Sequence, residues 1–421
     1  MTTPPASASR PSRGDELELT IDTLAHGGNG VARRDGYVVF VAGAVPGDRV
    51  RAVVGKAKRA YGHARVVELL EPSPERIPPV ADHPGAPWQV LPYERQLAAK
   101  AEQVEDALRR IGRLDGFTLE PIVPAVQEWR YRNKLEYSFG TGPDGSLVCG
   151  FHAPGRWDEI VALDDCLLAS ERGNAAREQV LAWARTEGLR AHDRRSGEGT
   201  LRNLVVREGR RTGEVQVRLV VAPGALPTPS LTAAVAADSL LVTTTDALGE
   251  TTALGETELL AGSDAIEEEL ADLRGPERLF DLYSGSGTIG LVLSARVAQV
   301  YGVELVEESV ADAINNARLN GIDNARFYAG DVRLALRELV EQAGRPDVVV
   351  VDPPRAGLSK KAVRRVIEAA PRKIVYVSCN PTTLAPNAAQ LAEAGYALRR
   401  VRPVDMFPQT PHIECVAVLE R

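Results

Sequence analysis

Between residues 16 and 70 the chain alternates apolar and polar positions in short runs cut by glycine-rich breaks. Runs at 17–21, 37–41, 49–54 and 64–69 carry the two-residue period and β-branched content of strands, while Gly27-Gly28-Asn29-Gly30 and Pro46-Gly47-Asp48 supply turns. Several short strands in so little chain predict a small closed β-barrel of the OB type, a shape that takes up single-stranded nucleic acid in a basic groove. Glu71-Pro72-Ser73-Pro74 ends this unit as a linker. Residues 93–113 change to helical spacing, with Leu97, Val104, Ala107, Leu108 and Ile111 on one face. From about 121 to 245 the chain is β-rich again, with runs at 135–139, 147–151, 204–207 and 215–221 that predict a central antiparallel α+β domain.

After Arg278 strand and helix patterns alternate. Strands are expected at 279–282, 300–303, 326–328, 348–351 and 374–378, with helices from 287 and at 309–320, 332–341, 360–370 and 386–393. A closing hairpin ends at 413–419. Such alternation predicts an α/β, Rossmann-like, doubly wound and mostly parallel sheet. The expected organisation is a disordered tail (1–14), a barrel (15–72), a central domain (73–245, including the helix 93–113) and an α/β domain (246–421).

The 421 residues exceed one average domain, and 44% hydrophobic with 25% charged residues is ordinary for a globular chain. No apolar run reaches bilayer-spanning length, so no membrane partner is expected. The Ser/Pro-rich start lacks the apolar core of a signal peptide, and Cys149, Cys166, Cys379 and Cys415 form no close pair. Both features point to the cytoplasm. A net charge of -7 argues against nucleic acid, but the charge is unevenly placed. Arg49, Arg51, Lys56, Lys58, Arg59 and Arg65 run without an intervening acid, and Arg202, Arg207, Arg210, Arg211 and Arg218 form a second stripe against two glutamates. Local stripes govern phosphate contact more than the global sum does, although a solvated charged face is the ordinary alternative for either one.

Asp281-Leu282-Tyr283-Ser284-Gly285-Ser286-Gly287 follows an apolar strand and opens a helix. Gly285 and Gly287 allow a tight turn and a close backbone approach to a ligand. Glu304 ends the next strand, 23 residues after Asp281, where a carboxylate accepts hydrogen bonds from ribose hydroxyls. Asp331 ends the third strand, in reach of an adenine edge. Each acid alone reads better as a helix cap or solvated loop residue. Their joint register favours a nucleoside cofactor, and the crowding of Gly285, Gly287 and Gly290 disfavours a dinucleotide in favour of S-adenosylmethionine.

Two further strand ends carry chemistry. Residues 348–351 run into Asp352-Pro353-Pro354-Arg355, whose prolines stiffen the turn, and 374–377 run into Ser378-Cys379-Asn380-Pro381. Cys379 thus stands at the carboxyl edge of the sheet, where open α/β folds bind ligands; a small buried apolar residue is the alternative. A methyltransferase needs a thiolate when the acceptor is carbon 5 of uracil, because addition to C6 is what makes C5 nucleophilic. A base must then remove the C5 proton, and Glu414 in His412-Ile413-Glu414-Cys415 is the candidate. His412 either orients Glu414, lines the pocket or is a plain turn residue, and Cys415 reads as structural. An amino-methyltransferase is disfavoured, since Arg355 stands where an aromatic residue would stack on the target.

Asp352-Pro-Pro-Arg-Ala-Gly, the run Ile374-Val-Tyr-Val-Ser-Cys-Asn-Pro-Thr-Thr383 and Met406-Phe-Pro-Gln-Thr-Pro-His-Ile-Glu414 together resemble the signatures of the RNA uracil-5 methyltransferase family. The N-terminal unit, with Gly27-Gly28-Asn29-Gly30-Val31-Ala32 and Val45-Pro46-Gly47-Asp48, resembles the TRAM domain that many members carry. Tyr131-Arg132-Asn133-Lys134 and Leu201-Arg202-Asn203-Leu204 look like the family's central domain. The resemblance implies a nucleophile at Cys379, a proton acceptor at Glu414, and cofactor contacts from Tyr283, Thr288, Glu304, Asp331 and Asp352. It implies a uridine substrate flipped out of its stack, with 23S rRNA favoured over tRNA by the TRAM association. Many TRAM-bearing relatives hold an iron–sulfur cluster before the stretch seen here as Gln89 to Leu97. Here residues 81–88 contain no cysteine, and Cys166 alone cannot hold a cluster, so none is expected. The family's Phe-Gln-x-Asn segment before the cofactor strand has no counterpart either, which keeps a weakly active or non-catalytic RNA-binding relative as an alternative. Ser284 stands where relatives often have cysteine, a change expected to be harmless.

Overall fold

The structure, a computed structural model, describes residues 11–153, 155–209, 212–247, 252, 255–262 and 277–421. Most of the expected tail, Arg210 and Arg211, and the acidic stretch 263–276 lie outside the described residues. The chain forms two compact units, one of Met1–Pro78, Trp88–Val126 and Leu270–Arg421, the other of Pro79–Pro87 and Gln127–Glu269.

The first unit opens with β1 (Glu16–Thr20), β2 (Thr23–Leu24), β3 (Gly30–Arg34), β4 (Tyr37–Ala42), β5 (Arg49–Ala57) and β6 (Tyr61–Glu71), ordered β1-β5-β6-β4-β3-β2. Alternate residues such as Leu17, Leu19, Val39, Val41, Val50 and Ala52 are buried in a common core, as the two-residue period requires. No pairing joins β1 to β2 among the described residues, so the closed barrel expected from the sequence is an open six-stranded sheet. The cause is local: β2 is only two residues long before the chain turns away.

Next come α1 (Tyr93–Asp106), a π-helical turn over Ala107–Ile111, and β7 (Thr118–Leu119). Val104, Ala107 and Leu108 bury in the core of the α/β sheet described below. The helix therefore belongs with that sheet, which corrects its assignment to the central domain.

The second unit is a seven-stranded sheet of β8 (Lys134–Thr141), β9 (Leu147–Ala153), β10 (Arg156–Ala162), β11 (Leu201–Glu208), β12 (Val215–Val221), β13 (Ser239–Thr244) and β14 (Glu256–Gly262). Its order is β10-β9-β8-β11-β12-β13-β14, antiparallel except where β12 meets β13. Helices α2 (Glu171–Thr186) and α3 (Thr228–Ala234) cover its apolar face through Val180, Trp183 and Leu231. Because β14 pairs along β13, the central unit runs past the boundary expected at 245. Cys166 is buried here, its sulfur 3.4 Å from the His83 Nε2.

The α/β sheet completes the first unit. It comprises β15 (Arg278–Leu282), α4 (Thr288–Ser294), β16 (Gln299–Glu304), α5 (Glu307–Leu319), β17 (Ala325–Ala329), α6 (Val332–Ala343), β18 (Val348–Val351), α7 (Lys360–Ala369), β19 (Lys373–Ser378), α8 (Pro381–Glu393), β20 (Ala397–Val404) and β21 (Glu414–Glu420). The order is β17-β16-β15-β18-β19-β21-β20-β7, parallel through β19, with β21 antiparallel between β19 and β20. β18 is four valines in a row, as befits a strand covered on both faces. The strand order reverses between β15 and β18, the place where such sheets leave a crevice for ligands.

Candidate active site

Each strand of the parallel set delivers one group to the same edge. β15 passes into Tyr283, whose φ of +65° is a left-handed conformation costing a non-glycine on the order of 1 kcal/mol. Backbone N–H groups of Tyr283 and Ser284 both donate to the Val303 carbonyl, at 2.9 and 3.2 Å. At Gly287 (φ +84°) a Cβ would lie 2.8 Å from the Phe327 ring, whereas at Gly285 (φ +53°) it would meet nothing within 4 Å. The turn thus packs down at one glycine and leaves room over the other. Thr288 opens α4 with an exposed side chain.

Glu304 closes β16 and ties itself to this turn. One carboxylate oxygen accepts from the Gly285 N–H at 3.0 Å, the other from Leu305 and Val306 N–H at 2.7 and 3.0 Å. Asp331 caps α6 by accepting from the Arg333 N–H at 2.8 Å, and it pairs with the Arg333 guanidinium. That hydrogen bonding holds its carboxyl down at about 2. The capping alternative is realised at Asp331, yet the residue also borders Tyr283: burial first, then the Asp331 charge, pushes the phenol up. Asp281 lies fully buried beneath the turn, one oxygen accepting from the Gly290 N–H at 2.8 Å and the other without a partner among the described residues. Ribose hydroxyls and an adenine edge would find acceptors at Glu304 and Asp331 beside an open glycine turn, so the donor set fits an adenosyl cofactor.

The other half of the edge is built from β18, β19 and β21. Ser378 pairs with Cys415, so the residues one step further, Cys379 and Glu414, stand opposite each other where the two strands leave the sheet. Cys379 is half-buried while the other three cysteines are buried. Burial, then the Glu414 charge, pushes its thiol up, and Arg355 opposes this by charge and hydrogen bond. Burial followed by the Asp352 charge pushes Glu414 up to about 7, again against Arg355. Asp352 stays reachable by solvent, but enough protein surrounds it to raise its pKa by desolvation. Cys415 is buried and structural, its sulfur 3.5 Å from the Ser378 carbonyl.

From the sequence alone Arg355 took no catalytic or binding role and only weighed against an amino-methyltransferase. Its Nη2 donates to His412 Nδ1 at 2.6 Å, which settles His412 as a residue of this pocket. The Arg355 carbonyl accepts from Asn380 Nδ2 at 3.1 Å and Thr383 Oγ1 at 3.2 Å, binding the Asp352 and Cys379 loops together. Asn380 also caps α8 by accepting from the Thr382 N–H at 3.0 Å. The segment leading to Glu414 is held from α1: Gln96 and Gln409 exchange hydrogen bonds of 2.7 and 2.8 Å, and the buried Lys100 reaches Asp405 at 2.7 Å and the Phe407 carbonyl at 3.0 Å. The spacing of 96, 100 and 104 on one helical face was the available signal, masked by two polar side chains.

The basic stripes are only partly free for RNA. Arg49 and Arg51 pair with Glu71 and Glu68, and Arg202 donates to the Thr245 and Ala247 carbonyls. Aromatic rings accompany the rest of the first stripe. Phe40 stacks on His63 at 5.4 Å, and Lys58 lies 5.3 Å from the centre of the Tyr61 ring.

Residues 268–421 match the tRNA (uracil-5-)-methyltransferase family, and residues 11–67 match the TRAM domain. The chain is 36% identical over 449 residues to an uncharacterized RNA methyltransferase of Halalkalibacterium halodurans, covering 97% of this chain and 98% of that one. It is 37% identical over 454 residues to a similarly described protein of Gloeobacter violaceus, with 97% of each covered. Among solved structures it resembles the Pyrococcus abyssi tRNA (uracil-54, C5)-methyltransferase in complex with S-adenosyl-L-homocysteine, with a TM-score of 0.77 and 28% identity over 96% of this chain and 100% of that one.

Proposed function

The chain belongs to the RNA uracil-5 methyltransferases that carry a TRAM domain and use S-adenosylmethionine, and from that premise we propose that Cys379 is the covalent nucleophile and Glu414 the base. The observation that carries this reading is the placement of the one half-exposed cysteine opposite Glu414 at the carboxyl edge of the sheet.

The cofactor supplies an electrophilic methyl group, and Tyr283, Gly285, Gly287, Thr288, Glu304, Asp331 and Asp352 would hold it. The Cys379 thiolate adds to C6 of the uracil, forming an S–C6 bond and sending the C5–C6 π electrons toward O4 as an enolate. C5 is then nucleophilic toward the methyl group that the cofactor would supply, whose S–CH3 bond would break with its electron pair left on sulfur as a neutral thioether. Glu414 removes the C5 proton, the C5–C6 double bond reforms and the S–C6 bond breaks, returning the thiolate. Arg355 stabilises that thiolate, and burial of Glu414 keeps it basic enough to take a proton near neutral pH. The uridine reaches Cys379 by leaving its stack, at a cost of a few kcal/mol. Lys58 and the Phe40, Tyr61 and His63 rings offer phosphate and base contacts on the TRAM sheet. The reaction runs in the cytoplasm, where thiols stay reduced.

The TRAM association favours 23S rRNA, while the Pyrococcus abyssi protein, described as a tRNA methyltransferase, supports tRNA as a second reading. Incubating the protein with adenosylmethionine and 5-fluorouridine-containing 23S fragments or tRNA tests both. A denaturation-resistant adduct is expected with one RNA and is lost in Cys379→Ala. Intact methylation by Cys379→Ala would overturn the mechanism.

A further inference from the structure

The loop between β2 and β3, in the TRAM sheet, lies against the catalytic segment. Gly28 adopts φ +88°, and a Cβ there would stand 2.7 Å from Pro411 Cβ, 2.8 Å from Pro411 Cγ and 3.2 Å from Trp88 Nε1. Such distances leave no space for any side chain, so backbone rests directly on the proline ring. Loop hydrogen bonds, Gly28 N–H to the Ala25 carbonyl at 3.0 Å and Ala25 N–H to the Asn29 carbonyl at 2.8 Å, fix its shape. Trp88 in turn donates its backbone N–H to the Gln409 carbonyl at 2.9 Å. Pro411 precedes His412, whose Nδ1 receives the Arg355 guanidinium at 2.6 Å.

We propose that this loop is part of the catalytic centre and that Gly28 is a positioning residue: by letting the loop seat on Pro411 it fixes His412, and through His412 the Arg355 guanidinium beside Cys379. The domain read as an RNA-docking module thereby also sets the state of the nucleophile. His26, exposed in the same loop, supports this placement, since desolvation by nearby protein and then the Arg355 charge lower its pKa. The charged and titratable groups around Cys379 are Arg355 and Asp352 from the β18 loop, Glu414 and Cys415 from β21, His412, and His26 from the TRAM loop.

The inference rests on Cys379 as the nucleophile, so its test reads the thiol directly. The full-length protein is alkylated with iodoacetamide across pH, and modification at Cys379 is followed by mass spectrometry. Gly28→Ala crowds Pro411 and is expected to raise the alkylation midpoint by about half a pH unit or more, because Arg355 loses its hold on the thiolate. Gly36→Ala is the matched control: its φ is +81°, in the same sheet, but a Cβ there meets nothing within 4 Å, so it strains the fold without touching the centre. Pro411→Ala, which empties the contact instead of crowding it, gives a second probe if Gly28→Ala does not fold, and the same upward shift is expected. Midpoints for Gly28→Ala and Pro411→Ala equal to that of Gly36→Ala would overturn the proposal. Failure of the nucleophile assignment is distinguishable, since it would appear as methylation surviving in Cys379→Ala whatever the alkylation profiles show.

Discussion

Along one edge of the α/β sheet, the ends of β16 and β17 and the ends of β18, β19 and β21 treat their acids in opposite ways. Glu304 and Asp331 are surrounded by donors: three backbone N–H groups satisfy the first, and Arg333 holds the second ionised far below neutrality. Cys379 and Glu414, with Asp352 beside them, have less donor support and are desolvated by surrounding protein, and all three are pushed toward their neutral forms. Permanent charge suits a site that only has to hold hydroxyls and an amine. A group that must gain or release a proton within each cycle needs a pKa near the working pH, and burial moves a carboxyl there. On the proposed reading, the same fold edge separates holding from reacting by the supply of hydrogen-bond donors together with desolvation.

The largest expected effect follows from removing the proton acceptor. Glu414→Gln keeps the shape but cannot take the C5 proton, so turnover is expected to fall by about 10²–10⁴-fold. Covalent RNA–protein adduct should accumulate on native uridine, visible on a denaturing gel. Loss of turnover with no adduct would place Glu414 before, not after, the addition of Cys379. On the holding side, Glu304→Gln removes a charge-assisted acceptor and is expected to weaken adenosylmethionine binding by about 10-fold or more, measured calorimetrically. The Cys379 alkylation profile should stay where it was, and a shift would mean that the two halves are coupled. pH gives a third test. With Glu414 pushed up to about 7, the ionised fraction rises roughly tenfold between pH 6 and pH 8, and kcat/KM should climb with it. The raised thiol of Cys379 acts in the same direction. A rate flat over that range would remove Glu414 from the base role.

The two halves were unequally legible in the sequence. Glu304 and Asp331 could be placed by counting strands, because each parallel strand of an α/β sheet ends at the same edge. Cys379 and Asp352 were placed in the same way, and Glu414 was named from its setting in His412-Ile413-Glu414-Cys415 and from the closing motif that resembles the family's. What escaped was side-chain reach. Nothing in the spacing of Arg355 and His412, 57 residues apart, reveals that the two meet. Lys100 and Gln96 carry no mark in the helical pattern beyond being polar, yet they reach residues 305 and 313 positions away. The helix 93–113 was read correctly as a helix and assigned to the wrong unit, since helical spacing reports an apolar face but not what covers it. The closed barrel failed at β2, where two residues of strand are too few to complete the ladder.

Asp281 tests whether donor supply or position governs these acids. It lies under the holding half, yet burial pushes it up to about 7, since among the described residues only the Gly290 N–H serves it and one oxygen has no partner. A carboxyl whose folded pKa exceeds its unfolded one keeps its proton longer when folded. The native state therefore carries no penalty below about pH 4, loses stability as pH rises from there to about 7, and carries the full penalty above that. Asp281→Asn still accepts from Gly290 but cannot ionise. It should match the natural protein in urea unfolding at pH 4 and exceed it by several kcal/mol, up to about 4, at pH 8. An advantage that does not change with pH would mean that the carboxyl has the same pKa folded as unfolded, and donor supply would no longer explain why the two halves differ.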